Sequence, residues 1–260
     1  MRCDMRGGYT STIMARRRSI TILPQPDDTT CGPTCLHAVY SYYGDGIPLE
    51  DVIRQVRVLD DGGTLAVFLG CHALKRGYAA EINTCNLHIF DPTWFSTQNV
   101  NLPEKLLQQA ACKNNPKLAR ATQGYLEFLE LGGKIRFFDF SVSLIKKYLY
   151  MGIPILTGLS ATYLYRSPRE IATTNEYDDV RGEASGHFVV LTRYDKRRKR
   201  VLVADPYRMN PISADQYYHV PVNRLIHSIL LGIVTYDSNM LIITSGERRN
   251  TEKKWQILSS

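Results

Sequence analysis

Gln25–Pro26–Asp27–Asp28–Thr29–Thr30–Cys31–Gly32–Pro33–Thr34–Cys35 is the stretch on which the reading of this chain turns. Pro24 and Pro26 keep its first half extended, because proline fixes φ and disfavours the helical region in the residue before it. Asp27–Thr30 is polar and turn-like. Pro33 suits the first turn of a helix, where a missing N–H costs nothing. The spacing of Cys35, Leu36, Val39, Tyr42 and Tyr43 predicts a helix from about Cys31 to Tyr43, stopped by Gly44. Cys31 therefore stands at a helix N terminus. Partial positive charge there stabilises a thiolate, and free first-turn N–H groups can hold an oxyanion. Gln25, six residues upstream, carries an amide that becomes a second donor if the chain doubles back.

A nucleophilic thiol needs a base and a group that orients it. Far downstream, Gly186–His187–Phe188–Val189–Val190–Leu191 and Val203–Ala204–Asp205–Pro206–Tyr207 offer both. A hairpin that pairs Phe188–Tyr194 with Val201–Asp205 across the basic turn Asp195–Arg200 sets His187 beside Asp205. A separation of 18 residues then becomes contact. The carboxylate would hold the imidazole in one tautomer and support it as imidazolium. Taken singly, Cys31 reads as a buried thiol, His187 as a strand histidine and Asp205 as a turn former. Taken together with Gln25 they form a catalytic constellation, and these four are the candidate site residues.

Around them the pattern is α+β: helices come first, and antiparallel-looking strands dominate later. Helices are expected over Ile47–Val58, from Thr64 (as cap) to Arg76, over Asn101–Ala111, over Lys117–Leu131, from Ser143 to Gly152, and over Val222–Leu231. Strands are expected over Tyr78–Thr84, Ile135–Phe140, Ile153–Leu159, Phe188–Tyr194, Val201–Ala204 and Met240–Thr244. One domain spans 19–246, with a helical insertion at about 85–134. Residues 1–18 read as a loose basic tail and 247–260 as a charged one. Ala161–Ser185 is a long polar loop that ends just before His187, and loops of that length are usually functional. Trp94 and Tyr163–Tyr165 are candidates for a substrate groove or for loop anchors.

Composition narrows the class. With 260 residues, 44% of them hydrophobic, the chain can bury a sizeable core. It has no apolar run long enough for a membrane span and no signal-like apolar region near its start. Six cysteines, thinly spread and without a C-x-x-C pair, make neither a disulfide scaffold nor a zinc site, and point to a reducing cytoplasm. Cys35 is expected to point into the core one turn after Cys31. The net charge of +7 gathers in Arg16–Arg18, Lys196–Arg200 and the C-terminal tail, without the interleaved aromatics of a nucleic-acid surface. No cofactor or metal is called for, and the partner expected is a peptide or amide substrate.

The ordered motifs resemble a known family. Gln25-x5-Cys31–Gly32–Pro33–Thr34–Cys35–Leu36, Tyr42–Tyr43–Gly44, Gly63–Thr64, Gly152-x-Pro154–Ile155, Gly186–His187–Phe188–Val189–Val190 and Asp205–Pro206 look like those of the bacteriocin-processing peptidases, family thirty-nine of the cysteine peptidases in the papain-like clan. The resemblance covers roughly residues 22–82 and 143–207. It implies a papain-like fold with the Cys31 helix packed on an antiparallel sheet. By the same resemblance Cys31 is the nucleophile, His187 the base, Asp205 the orienter and Gln25 an oxyanion donor. Family members that mature bacteriocins are fused to a membrane exporter, which this sequence lacks, so cleavage after a double-glycine leader does not carry over. Three activities stay open: hydrolysis of peptide or other amide bonds, acyl transfer to an amine, and peptide binding by a silent site.

Overall fold

The computed structural model describes residues 19–59, 62–96, 100–174 and 176–245, so both terminal tails lie outside the described residues. The helices are α1 (Cys31–Tyr43), α2 (Leu49–Gln55), α3 (Ala66–Lys75), α4 (Leu102–Cys112), α5 (Pro116–Glu130), α6 (Val142–Tyr150), α7 (Ala161–Tyr165) and α8 (Val222–Leu231). The strands are β1 (Ala79–Thr84), β2 (Lys134–Phe137), β3 (Ile155–Ser160), β4 (Glu170–Ile171), β5 (Glu176–Tyr177), β6 (Gly186–Asp195), β7 (Arg200–Ala204), β8 (Tyr217–Pro221) and β9 (Asn239–Thr244).

Seven of the strands form one sheet in the order β2-β1-β9-β3-β6-β7-β8, antiparallel throughout except for the β1–β2 pair. Side chains alternate across it, as strand geometry requires. Phe188 and Val190 of β6 enter a core built with α1, α3 and α5, whereas Val189 and Leu191 enter a second core with α6 and α8. The sheet is thus covered on both faces, which is why its central strands read as continuous apolar runs rather than alternating ones.

The helix that opens the argument behaves as its sequence dictates. α1 ends at Gly44, whose φ of 84° lets its N–H turn back to the Ser41 and Tyr40 carbonyls. Gly32 permits close packing of α1 on the sheet: a Cβ there would meet Thr64 Cγ2 at 2.6 Å and the Phe188 ring at 3.2 Å. Cys35 is fully buried and its thiol donates to the Phe188 carbonyl at 3.2 Å, so it packs inward as expected and pins the helix to β6.

Several expectations need correction. Thr64 is not a helix cap: its hydroxyl donates to the Arg57 carbonyl, and Leu65 takes the cap position of α3. The segment 161–185 is not structureless, since it holds α7 and the β4–β5 hairpin, and Glu170 exchanges both backbone hydrogen bonds with Glu183. Strand β8 has no counterpart in the sequence reading, because it ends in a proline and runs straight into α8. In the region 85–134, α5 packs on α3, and Leu106, Leu118, Tyr125 and Phe128 share the core of α1.

Candidate active site

The register of the sheet brings one set of strand ends to a common edge. β1, β3 and β7 finish there, and β6, β8 and β9 begin there. His187 is the second residue of β6, paired with Leu159 of β3. Asp205 directly follows β7 and is fixed by its N–H on the Gln216 carbonyl at 2.8 Å. The two side chains meet: His187 Nε2 lies 2.8 Å from Asp205 Oδ1. A bulge between Leu191 and Arg193 interrupts the β6–β7 ladder without separating these ends.

Cys31 reaches the same edge from the N terminus of α1, close enough to the His187 ring to support its charged form. With Nε2 committed to Asp205, Nδ1 is the ring nitrogen that remains for the sulfur. All three groups are shielded: Cys31 is 9% exposed, His187 7% and Asp205 0%. The N-cap residue Thr30 makes no side-chain capping bond to α1. The Thr30 hydroxyl is turned back to the Asp27 carbonyl, and Pro33 contributes no N–H, so no capping group consumes the first-turn donors beside Cys31.

The electrostatics follow from that burial. Removing water disfavours the charged imidazole. The Asp205 carboxylate, by charge and hydrogen bond, and Cys31, by the same two means, overcome this and push the His187 pKa up to about 10. Burial likewise raises the Asp205 carboxyl, but the His187 charge and hydrogen bond, then the Tyr218 and Tyr165 hydroxyls, outweigh it and leave the group below its usual range. Burial, with the charges of Cys31 and Asp205, holds the Cys35 thiol well above its ordinary value. The two cysteines of the opening stretch thus occupy opposite settings: Cys35 is a closed packing group, and Cys31 faces an imidazole.

Gln25 is drawn to the site through its backbone, which donates to the Pro206 carbonyl at 2.9 Å, next to Asp205. Its amide Nε2 donates to the Asp27 carbonyl at 2.9 Å, and its Oε1 is buried without a partner among the described residues. One of the two amide hydrogens is therefore occupied and one is left over. Sequence reasoning missed the tyrosines. Tyr165 and Tyr218 both donate to Asp205 Oδ2, and the Tyr207 N–H donates to Oδ1. The sequence offers Tyr165 only as a groove or loop-anchor candidate, and Tyr218 lies in the unrecognised β8. The one available signal was that a buried carboxylate needs several donors.

A comparison at the level of families places the chain. The profile described as the Peptidase_C39 like family matches residues 18–224. The chain belongs to this family. The fold accordingly is the papain-like one of the C39 peptidases, a mixed helix-and-sheet structure built on a mainly antiparallel sheet. No curated protein matches the chain.

Among solved structures, the chain resembles the peptidase domain of Streptococcus ComA, a bi-functional ABC transporter involved in a quorum-sensing pathway, at 12% identity and a TM-score of 0.42, over 87% of this chain and 98% of that one. A protein described as a C39-like peptidase from Bacillus anthracis aligns at 14% identity and a TM-score of 0.47, over 87% and 94%. A double glycine motif protease from an AMS/PCAT transporter, in complex with its leader peptide, aligns at 15% identity and a TM-score of 0.41, over 90% and 96%. No helix among the described residues is long and apolar enough to cross a membrane.

Proposed function

We propose that this protein is a cysteine peptidase that hydrolyses peptide or other amide bonds through Cys31, His187 and Asp205. The observation that carries the reading is the His187–Asp205 hydrogen bond at the sheet edge, with Cys31 at a helix N terminus near enough to raise the His187 pKa. In this scheme His187 Nδ1 takes the Cys31 proton, and Asp205 supports the resulting imidazolium. The thiolate attacks the substrate carbonyl, and the negative charge forming on its oxygen is held by the Cys31 N–H and the Gln25 amide. His187 then returns its proton to the leaving amine. The thioester left on Cys31 is released by water, which His187 activates in turn. Amine in place of water at that last step gives acyl transfer by the same atoms.

The substrate is a peptide on this reading, in keeping with membership of a peptidase family. The setting is the cytoplasm, in keeping with Cys31, Cys35, Cys71, Cys85 and Cys112 all being free thiols. The test is a mass-spectrometric survey of a peptide mixture incubated with wild-type protein and with Cys31→Ala. New termini that vanish in the variant, together with a trapped acyl group on Cys31, support the proposal. Equal cleavage by both proteins, or no turnover by either, overturns it.

A further inference from the structure

Asp205 has two partners that the chemistry above leaves unused. A carboxylate offers about four lone-pair positions. Oδ1 receives His187 Nε2 at 2.8 Å and the Tyr207 N–H at 2.8 Å. Oδ2 receives the Tyr165 hydroxyl at 2.7 Å and the Tyr218 hydroxyl at 2.5 Å. Every position is filled, and no surface of Asp205 is exposed for water to substitute. The two phenols come from separate parts of the fold. Tyr218 belongs to β8, which pairs with β7 and so is fixed relative to Asp205 by the sheet. Tyr165 is the last residue of α7, where the chain leaves for the 166–185 segment, and its ring lies against those of His187 (centroids 6.1 Å apart) and Tyr207 (6.4 Å).

We propose that Tyr165 and Tyr218 are positioning residues that keep Asp205 ionised and turned toward His187. The proposal rests on the triad reading and deepens it. An unexposed carboxylate stays charged only where hydrogen bonds replace its water, and charge-assisted hydrogen bonds are the strong ones. Both tyrosines are dependable donors, because burial, followed by the charge of Asp205, holds their hydroxyls far above the usual phenol range. Held from two directions at Oδ2, the carboxylate cannot swing away and keeps Oδ1 on His187. Without the phenols Asp205 would take up a proton at higher pH. A protonated Asp205 no longer supports the imidazolium, and the Cys31 thiolate then loses its counter-charge.

The sulfur itself reports this, so no substrate is needed. The rate of Cys31 alkylation by iodoacetamide is followed against pH in the full chain, with the Cys31 peptide read by mass to exclude the other cysteines. The wild-type profile sets the reference limb. Tyr165→Phe and Tyr218→Phe each move the limb to higher pH, and the double variant moves it further. In an Asp205→Asn background the same Phe changes move nothing. Circular dichroism confirms that each variant is folded. Phe variants whose limb coincides with a low wild-type limb overturn the inference, as does a shift that persists in the Asn background, which is the mark of a merely structural effect. A wild-type limb at the free-thiol position is a different result: it removes the triad itself, and the role of the tyrosines with it.

Discussion

His187 Nε2 sits 2.8 Å from Asp205 Oδ1, at the open end of a hairpin whose tip is Asp195–Arg200. One hydrogen bond therefore fixes both the tautomer and the charge of the imidazole. The raised His187 pKa, about 10, depends on that carboxylate more than on Cys31. Asp205→Asn is expected to return the His187 titration toward the ordinary histidine value near 6.5 and to lower kcat by about a hundredfold, the scale of lost acid–base catalysis. Titration of the His187 ring by NMR checks the first, and peptide hydrolysis the second. A ring that still titrates near 10 in the variant would remove Asp205 from the argument.

Gln25 offers a finer test. Its amide is spent partly on the Asp27 carbonyl, so it serves the turn before α1 as well as any oxyanion. Gln25→Ala and Gln25→Glu both remove the amide donor, and with it the bond to the Asp27 carbonyl, while Glu keeps the chain length. Both changes are expected to lower kcat by a factor of about a hundred or more with little change in KM, the mark of a donor used mainly in the transition state. Variants that keep kcat near wild type but lose stability to urea assign the residue to the turn instead.

Much of this was legible before any coordinates. The extent of α1 and its stop at Gly44 followed from apolar spacing and one glycine, both local signals. The His187–Asp205 contact followed from hairpin logic, which needs only two adjacent strands. What escaped reading was non-local. Strand β8 is five residues ending in Pro221, too short and too broken for its alternation to register. Tyr218 was invisible for the same reason, and Tyr165 approaches Asp205 only because α7 folds back beside β6. Thr64 looked like a cap because threonine usually is one at such a position, yet tertiary contact with the Arg57 carbonyl claimed its hydroxyl.

The seating of α1 on the sheet depends on Gly32. A methyl group there would lie 2.6 Å from Thr64 Cγ2, 3.2 Å from the Phe188 ring and 3.3 Å from Leu69. Thr64 is held by its hydrogen bond to Arg57 and cannot easily withdraw. Gly32→Ala is expected to cost about 1–3 kcal/mol, the usual price of overpacking, despite the better helix propensity of alanine. Because Gly32 adjoins Cys31, alkylation of the thiol should slow as well. Urea denaturation of the two proteins measures the first effect. An Ala variant as stable as wild type would show that α1 shifts freely on the sheet.

Asp237 gives the fold a dependence on pH that is separate from the candidate site. It packs against Gly158, where a Cβ would meet its carboxyl carbon at 2.5 Å, and its Oδ1 has no partner among the described residues. Burial raises its pKa from 3.8 to about 8; the Lys117 charge and the Thr235 hydrogen bond pull the other way and only partly offset this. The folded protein therefore keeps a proton that the unfolded chain releases above about pH 4. Stability from this group is intact below the unfolded pKa and declines as pH rises toward 8, with a slope of up to about 1.4 kcal/mol per pH unit. His187 adds a decline of its own, but only from its unfolded value of 6.5 upward to about 10. Chemical denaturation between pH 4.5 and 6.5 lies below the His187 window, and comparison with Asp237→Asn cancels the opposite slope of His37 and His72, whose pKa values burial lowers. Relative to Asp237→Asn, which cannot ionise, wild-type stability is expected to fall across that interval, and the Asn variant is expected to be more stable at pH 7 by up to about 4 kcal/mol. Parallel curves for the two proteins would mean that the carboxyl finds a counter-charge as it ionises.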